Sequence, residues 1–104
     1  MNTGQLRESQ QSEVKNFAIA HAYDNFPELR QYGVKIIAQE CNARRVIYRQ
    51  QMVGPGEAID VILDDEEWEV TIPLKVFSQR LVLTVYRYHD GRLGVTDQQT
   101  LPLS

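Results

Sequence analysis

Apolar and polar residues alternate along the chain from Trp68 to Val76. Successive side chains of a β-strand point to opposite faces of a sheet, so this pattern predicts a half-buried strand with one face committed to a core. The apolar set is Trp68, Val70, Ile72, Leu74 and Val76, and the polar set is Glu67, Glu69, Thr71 and Lys75. Because the neighbouring segments have the same character, we predict that the last two-thirds of the chain form an antiparallel sheet.

Turn residues divide this part of the chain into separate strands. The predicted strands are Ala58–Leu63, Trp68–Phe77, Arg80–Tyr88 and Arg92–Thr96. Between the last two, Asp90-Gly91 predicts a two-residue type I′ turn, in which both central residues have positive φ. Pro73 has no backbone N–H to donate, so its strand is predicted to lie at a sheet edge or to bulge there.

The predicted strand Arg80–Tyr88 is apolar on both of its faces. Leu81, Leu83 and Val85 occupy one face, and Val82, Thr84, Tyr86 and Tyr88 occupy the other. A strand of this kind is usually central in its sheet and covered on both sides. We expect the N-terminal helices to cover the first face. The second is the predicted dimer or ligand face, to be covered by a second subunit, a ligand or a rolled part of the same sheet.

A helical pattern lies near the N-terminus. Its apolar face consists of Val14, Phe17, Ala18, His21 and Ala22. This spacing predicts a helix that begins at Ser9 or Ser12 and ends near Tyr23. Residues 1–8 are predicted to be a flexible tail, and residues 9–104 a single domain, because a chain of 104 residues fits one domain and not two.

A second, short helix is predicted to follow the first. Asn25, Pro27 and Glu28 match a capping box, with Asn25 as the N-cap and Glu28 reaching back to it. Gly33 predicts the end of this helix. A left-handed residue at that position would let Leu29 and Val34 contact each other across a Schellman motif.

Residues 34–53 allow two interpretations. Apolar residues at helical spacing, followed by arginines and then by Gly54-Pro55, suit one long helix. Five β-branched residues, together with Gly33 and Asn42, suit a hairpin that turns near Asn42. We favour the hairpin.

These elements predict an α+β domain in which one or two N-terminal helices pack on a curved, roll-like antiparallel β-meander of about five to six strands. In broad outline this layout resembles cystatin-like and nuclear-transport-factor-2-like rolls, a likeness of architecture that implies no function. Cys41 is the only cysteine, so an intrachain disulfide is excluded. The polar N-terminal residues match neither a secretion signal nor a membrane span, and we expect a cytoplasmic protein without membrane contact.

Charge is concentrated in one acidic segment. The net charge is −3, but residues 54–69 contain seven acidic residues and no basic one, next to a basic stretch at 28–53. Within the acidic segment, Asp64, Asp65, Glu66 and Glu67 form a predicted turn. This turn is either a solvated hairpin tip or a docking surface that steers a basic partner. The residue spacing of a calcium-binding loop is missing, so we predict no metal.

Few residues suggest catalysis. His21 lies on the apolar helix face with Asp24 one turn later, and it is a candidate to line a pocket with Trp68 or to transfer protons. A single histidine on an apolar face is more often structural. Cys41 would be a nucleophile only if a basic neighbour lowered its pKa. The chain has no phosphate-binding glycine loop and no HExxH or GxSxG motif, so we predict no cofactor.

Two functional hypotheses follow from the sequence. The first is a non-catalytic protein-binding module, of the inhibitor, immunity or adaptor kind, that forms a homodimer. The second is a small-molecule-binding protein with a cavity between helix and sheet, which could be enzymatic. Arginines and tyrosines occur together at residues 44–49 and 86–88, as on nucleic-acid surfaces, but the net acidic charge disfavours nucleic acid as a partner.

Overall fold

The computed structural model describes residues 3–47, 49–54, 57–62 and 66–103, with side chains described over 9–47 and 66–103. Within these described ranges, two helices precede six strands. They are α1 (Thr3–Asn25), α2 (Pro27–Gln31), β1 (Asn42–Val46), β2 (Arg49–Gly54), β3 (Glu57–Ile62), β4 (Glu67–Leu74), β5 (Gln79–Arg87) and β6 (Leu93–Pro102). Short 3₁₀ turns lie at Ala38–Glu40 and Lys75–Phe77.

The strands form one antiparallel sheet and one separate ribbon. β4, β5 and β6 follow one another as a meander, and β1 pairs with the other side of β4, so the sheet order is β1-β4-β5-β6. β2 and β3 pair with each other as a two-stranded ribbon inserted between β1 and β4. The predicted α+β class, with an N-terminal helix on an antiparallel sheet, is therefore confirmed. A roll of five to six strands is not, because the described strands divide into four and two.

The core lies between α1 and one face of the sheet, which we call the inner face. Val14, Ala18 and Ala22 lie one turn apart on α1 and are fully buried. Their short side chains let the helix approach the strands closely. The buried residues opposite them are Val70 and Ile72 of β4 and Leu81, Leu83 and Val85 of β5. The predicted inner set of β5 is thus confirmed, and so is the central position of that strand.

Helix α1 is longer than predicted at both ends. It begins at Thr3, inside the segment predicted as a tail, and it ends at Asn25. The predicted capping box is wrong, because the N-cap of α2 is Phe26 and no side chain caps it. Asn25 still belongs to α1, since the next N–H, that of Phe26, donates to the Ala22 carbonyl. The Asn25 amide donates instead to the His21 carbonyl, 2.9 Å away.

The end of α2 is as predicted. Gly33 has φ of +64°. The Val34 N–H donates to the Leu29 carbonyl at 2.7 Å, and the Gly33 N–H donates to the Arg30 carbonyl at 3.1 Å. These two bonds define a Schellman motif.

Neither interpretation of residues 34–53 is correct. Residues 34–37 belong to neither a helix nor a strand, a 3₁₀ turn follows, and β1 begins at Asn42, where the hairpin was predicted to turn. The Tyr23 hydroxyl fixes this segment, because it donates to the Val34 carbonyl and accepts from the Ile36 N–H, both at 2.9 Å. This long-range anchor on α1 is a tertiary effect that local propensity does not contain.

The alternating strand ends earlier than predicted. β4 stops at Leu74, and the 3₁₀ turn after it turns Val76 outward, where 71% of its surface is exposed. The prediction of Val76 as a core residue is therefore wrong. β4 is also an internal strand, although it contains Pro73. The proline is tolerated because the register of β1 reaches only Thr71, so at Pro73 β4 is paired on one side alone.

The last hairpin has a three-residue loop instead of the predicted type I′ turn. The Gly91 N–H donates to the Tyr88 carbonyl, and the Tyr88 N–H donates to the Arg92 carbonyl. Only Gly91 has positive φ there, at +90°, which fits a type I turn followed by a left-handed residue. The Asp90 carboxylate accepts from the Arg92 N–H at 3.0 Å and favours this form. β6 then continues to Pro102, beyond the predicted end at Thr96.

We predict that Gly33→Ala destabilises the fold by about 1–2 kcal/mol, because an L-residue with a Cβ is strained at positive φ. A Cβ at this position would have no atom within 4 Å, so crowding does not contribute. Urea denaturation of the wild type and the variant measures the difference. Gly33→Asn is the control and should lose less, because asparagine tolerates this conformation. An alanine variant as stable as the wild type would contradict the assignment.

Candidate functional site

The predicted dimer or ligand face lies on the outer face of the sheet, opposite α1. Val82 and Thr84 are half-buried there, in register with residues of β4 and β6. They line a shallow, mostly polar depression of about 200 Å³. Its other residues are Glu69, Thr71, Arg80, Asp97, Gln99 and Leu101. In the described part of the chain, helices cover only the inner face, so the expected second layer over β5 is not supplied by these elements.

The two tyrosines of this face pack against each other and against the end of the sheet. The Tyr86 and Tyr88 rings meet edge to face, with centroids 5.3 Å apart. The Tyr88 ring also lies against Gly94, where a Cβ would come within 2.6 Å of it, and under the Arg92 guanidinium at 5.7 Å. Contacts within one chain therefore cover part of the apolar surface of this face. Its role in a dimer or with a ligand stays a prediction.

The predicted acidic docking turn is described only in part. Asp64 and Asp65 lie outside the described residues. Glu67 is the first residue of β4. Glu66 faces inward, with 15% of its side chain exposed, and accepts from Arg87 Nε at 3.1 Å and from the Trp68 indole N–H at 3.0 Å. Glu66 therefore has a structural partnership, and binding of a partner by the rest of the turn stays a prediction.

Arg87 is the centre of a hydrogen-bonded cluster that joins four parts of the fold. Besides Glu66, it donates to Glu13 of α1 and to the Gly91 carbonyl in the last hairpin loop, the latter at 2.8 Å. Only 24% of the Arg87 side chain is exposed. Hydrogen bonding to Glu13 raises the pKa of Arg87 above its ordinary value, as does its pairing with Glu66. The cluster ties α1, β4, β5 and the loop together, and sequence alone did not indicate it.

His21 and Trp68 do not share a pocket among those found in the described residues. His21 lies at a shallow groove beside β6, with its ring nitrogens 3.4 Å from the Gln98 amide oxygen and 3.3 Å from the Asn25 amide nitrogen. The predicted acid–base partner, Asp24, forms an ion pair with Arg30 at 3.6 Å. Trp68 is buried in the core, with 3% of its surface exposed and the Arg45 guanidinium 5.8 Å above its ring.

Cys41 is a core residue. Its thiol is buried, lies 3.5 Å from the Ile37 carbonyl, and forms no disulfide. Burial raises the pKa of Cys41 above its ordinary value, and Glu40 raises it further against the opposing effect of Lys15. The thiol is thus protonated at neutral pH, the opposite of what a nucleophile requires. In the described part of the chain, no group of three or more His, Cys, Asp and Glu residues is arranged to hold a metal ion.

An apolar cleft that the sequence did not predict lies between α2 and the end of the sheet. Its volume is about 360 Å³. The apolar residues that line it are Phe26, Leu29, Leu74, Phe77 and Leu81, and the polar ones are Glu28, Gln79 and Thr100. We call this the α2 cleft. Two exposed apolar residues are linked to this lining through Phe77: Tyr32 meets the Phe77 ring edge to face at 5.9 Å, and Val76 precedes Phe77 in the chain.

The sequence did contain one signal for this cleft. Val76 and Phe77 are consecutive apolar residues directly after the alternating strand, and a strand that continued would have placed one of them on each face. The strand ends at Leu74, and the 3₁₀ turn that follows is closed by Ser78, which is left-handed with φ of +53°. Phe77 thereby lines the α2 cleft, and Val76 is exposed instead of lying inside the sheet core.

Compared with known proteins, the chain matches no family model, no curated protein sequence and no solved structure. In the described residues, none of the helices has both the length and the hydropathy needed to cross a membrane.

We predict that Arg87→Met destabilises the fold by about 1–3 kcal/mol, because it leaves the half-buried Glu66 carboxylate without its cation and removes several charge-assisted hydrogen bonds. Equilibrium urea unfolding measures the loss. Arg92→Met is the matched control. Its ion pair with Asp90 is exposed, so its loss should stay below about 1 kcal/mol. Equal losses in the two variants would show that the Arg87 cluster has no special role.

We predict that Cys41 reacts slowly with iodoacetamide at pH 8 in the folded protein and quickly in urea. The sole cysteine makes the measurement unambiguous by mass spectrometry. Since the folded-state pKa is raised, the unfolded chain ionises first on raising the pH. The contribution of Cys41 to stability therefore falls as the pH rises above the ordinary thiol pKa. Equal labelling rates in the folded and unfolded protein would contradict burial of the thiol.

Proposed function

We propose that this chain is a non-catalytic protein-binding module that recognises a segment of another protein at the α2 cleft. The observation that carries the proposal is the exposure of large apolar side chains around this cleft. Tyr32 is 64% exposed and Val76 is 71% exposed. Exposed apolar surface that is continuous with a groove is typical of sites of protein contact.

The form of the cleft supports a protein segment as the occupant. The cleft is open to solvent, and the exposed ring of Tyr32 packs against its lining residue Phe77 and extends the apolar surface beyond the rim. An occupant that covers this whole surface must be larger than the cleft itself. A side chain in the cleft with neighbouring residues across the rim meets that requirement, as in complexes where one buried anchor provides most of the affinity.

The surroundings of the reactive residues support a binding role over a catalytic one. The His21 ring forms its hydrogen-bond contacts with two neutral amides, those of Gln98 and Asn25, while its predicted partner Asp24 pairs with Arg30. The Cys41 thiol is held in its protonated form. Arg87 is occupied by two carboxylates and a carbonyl of its own chain.

A small molecule in the same cleft is the alternative function. The cleft volume of about 360 Å³ falls within the range of about 300–1,000 Å³ that is usual for ligand pockets. Its lining also has the expected character, with an apolar floor and a few polar groups. This alternative predicts that variants at Tyr32 and Val76, outside the cleft, leave binding intact.

Selection from a displayed random-peptide library on the immobilised protein tests the proposal. We expect enriched peptides that share an apolar anchor, and the double variant Tyr32→Ser, Val76→Ser should lose their binding at least tenfold. Ile47→Ser removes an exposed apolar side chain elsewhere and is the control that should bind normally. Failure to enrich peptides, or equal binding by all variants, would overturn the proposal.

Sedimentation velocity at micromolar concentration tests the predicted homodimer in the same experiment series. A wild-type dimer that dissociates in the double variant would identify a second copy of the chain as the segment's source. A dimer that persists in the double variant would place self-association elsewhere, and the outer sheet face with Val82 and Thr84 is the predicted location.

A further inference from the structure

Three of the residues that line the α2 cleft are polar, and one of these three is acidic. Glu28, Gln79 and Thr100 are the polar members of the lining, and of these only Glu28 is an acidic residue. It lies in the first turn of α2. An apolar floor with one carboxylate at its margin fits an occupant that is apolar and cationic at once.

Two of the basic residues in the segments around the cleft have acidic partners. Arg30 pairs with Asp24 at 3.6 Å, and Lys75 pairs with Glu40 at 3.5 Å. In the described part of the chain, the Glu28 carboxylate has no hydrogen-bond or ion-pair partner among the contacts found. The cleft therefore presents one uncompensated negative charge beside apolar surface.

We propose that the segment bound at the α2 cleft carries a lysine or arginine next to its apolar anchor, and that this cation pairs with Glu28. The inference rests on the proposed function, whose partner it specifies. An ion pair at the rim of a covered apolar site mainly determines which partner binds, because a like charge placed there is repelled. The net charge of −3 of the whole chain favours approach of the same cationic segment.

The size of the effect follows from the exposure of Glu28. Exposed ion pairs contribute about 0.2–1 kcal/mol, which corresponds to at most about a fivefold change in affinity. Replacing the cation by an acidic residue adds repulsion to the loss of the pair. The preference between cationic and acidic segments should thus exceed the preference between cationic and neutral ones.

Titration of ¹⁵N-labelled protein with three synthetic peptides tests the inference. Each peptide has two phenylalanine anchors, flanked in the first by lysines, in the second by serines and in the third by glutamates. In the wild type we expect shifts of the Leu29, Leu81 and Thr100 amides, with affinity up to about fivefold higher for the lysine peptide than for the serine peptide, and lowest for the glutamate peptide.

Charge variants then assign the preference to one carboxylate. Glu28→Gln should bind the lysine and serine peptides equally, and Glu28→Lys should prefer the glutamate peptide. Asp97→Asn changes the net charge by the same amount on β6 and should keep the wild-type order. Glu28 is exposed, so these variants should fold, and their amide spectra report whether they do.

The outcomes separate the two proposals. If all three peptides shift the cleft amides with equal affinity, or if Glu28→Gln keeps the wild-type order, the cationic segment is refuted and the binding function stands. If no peptide shifts the cleft amides of the wild type, protein binding at this cleft is refuted as well.

Discussion

The close packing of α1 on the inner face of β4 and β5 is the contact on which the rest of the structure depends. Val14, Ala18 and Ala22 are small enough to bring the helix backbone near the strands. A sheet of four strands buries a continuous core only when one face is covered in this way. The position of α1 then sets the position of everything attached to it. Through the Tyr23 hydroxyl it anchors the segment before β1, and through Glu13 it fixes Arg87 at the end of β5.

The sequence predicted elements best where one local rule determined the outcome. The alternation from Trp68 to Leu74, the inner set of β5 and the glycine that ends α2 all belong to this class, since each depends on residues close in the chain. Long-range contacts explain the errors. β1 is a strand because it pairs with β4, and Tyr23 of α1 anchors residues 34–37, which belong to neither a helix nor a strand. The pattern of apolar residues likewise did not indicate that β2 and β3 pair with each other outside the main sheet.

Prediction of the candidate site was weaker, for a related reason. His21 and Cys41 were candidates because histidine and cysteine are reactive residue types. Their chemistry depends on neighbours that only the fold supplies. His21 contacts two side-chain amides, and Cys41 is buried in the core. The acidic turn was interpreted as one surface, whereas Glu66 has its own partner in Arg87. The α2 cleft joins residues from α2, β4, β5 and β6. The consecutive apolar residues Val76 and Phe77 are a local signal for one part of this cleft, but they do not indicate which distant segments complete it.

The ribbon of β2 and β3 lies in the chain connection between two paired strands of the main sheet. β1 and β4 are neighbours in the sheet, but in the chain the ribbon lies between the end of β1 at Val46 and the start of β4 at Glu67. Closing such an excursion has an entropic cost that grows slowly with its length, by about 0.6 kcal/mol for each doubling. The connection between β1 and β4 can therefore become longer or shorter during evolution with little change in the free energy of unfolding of the rest of the domain. The inserted hairpin is thus a position at which length and sequence can vary without a change in the fold of α1 and the four-stranded sheet.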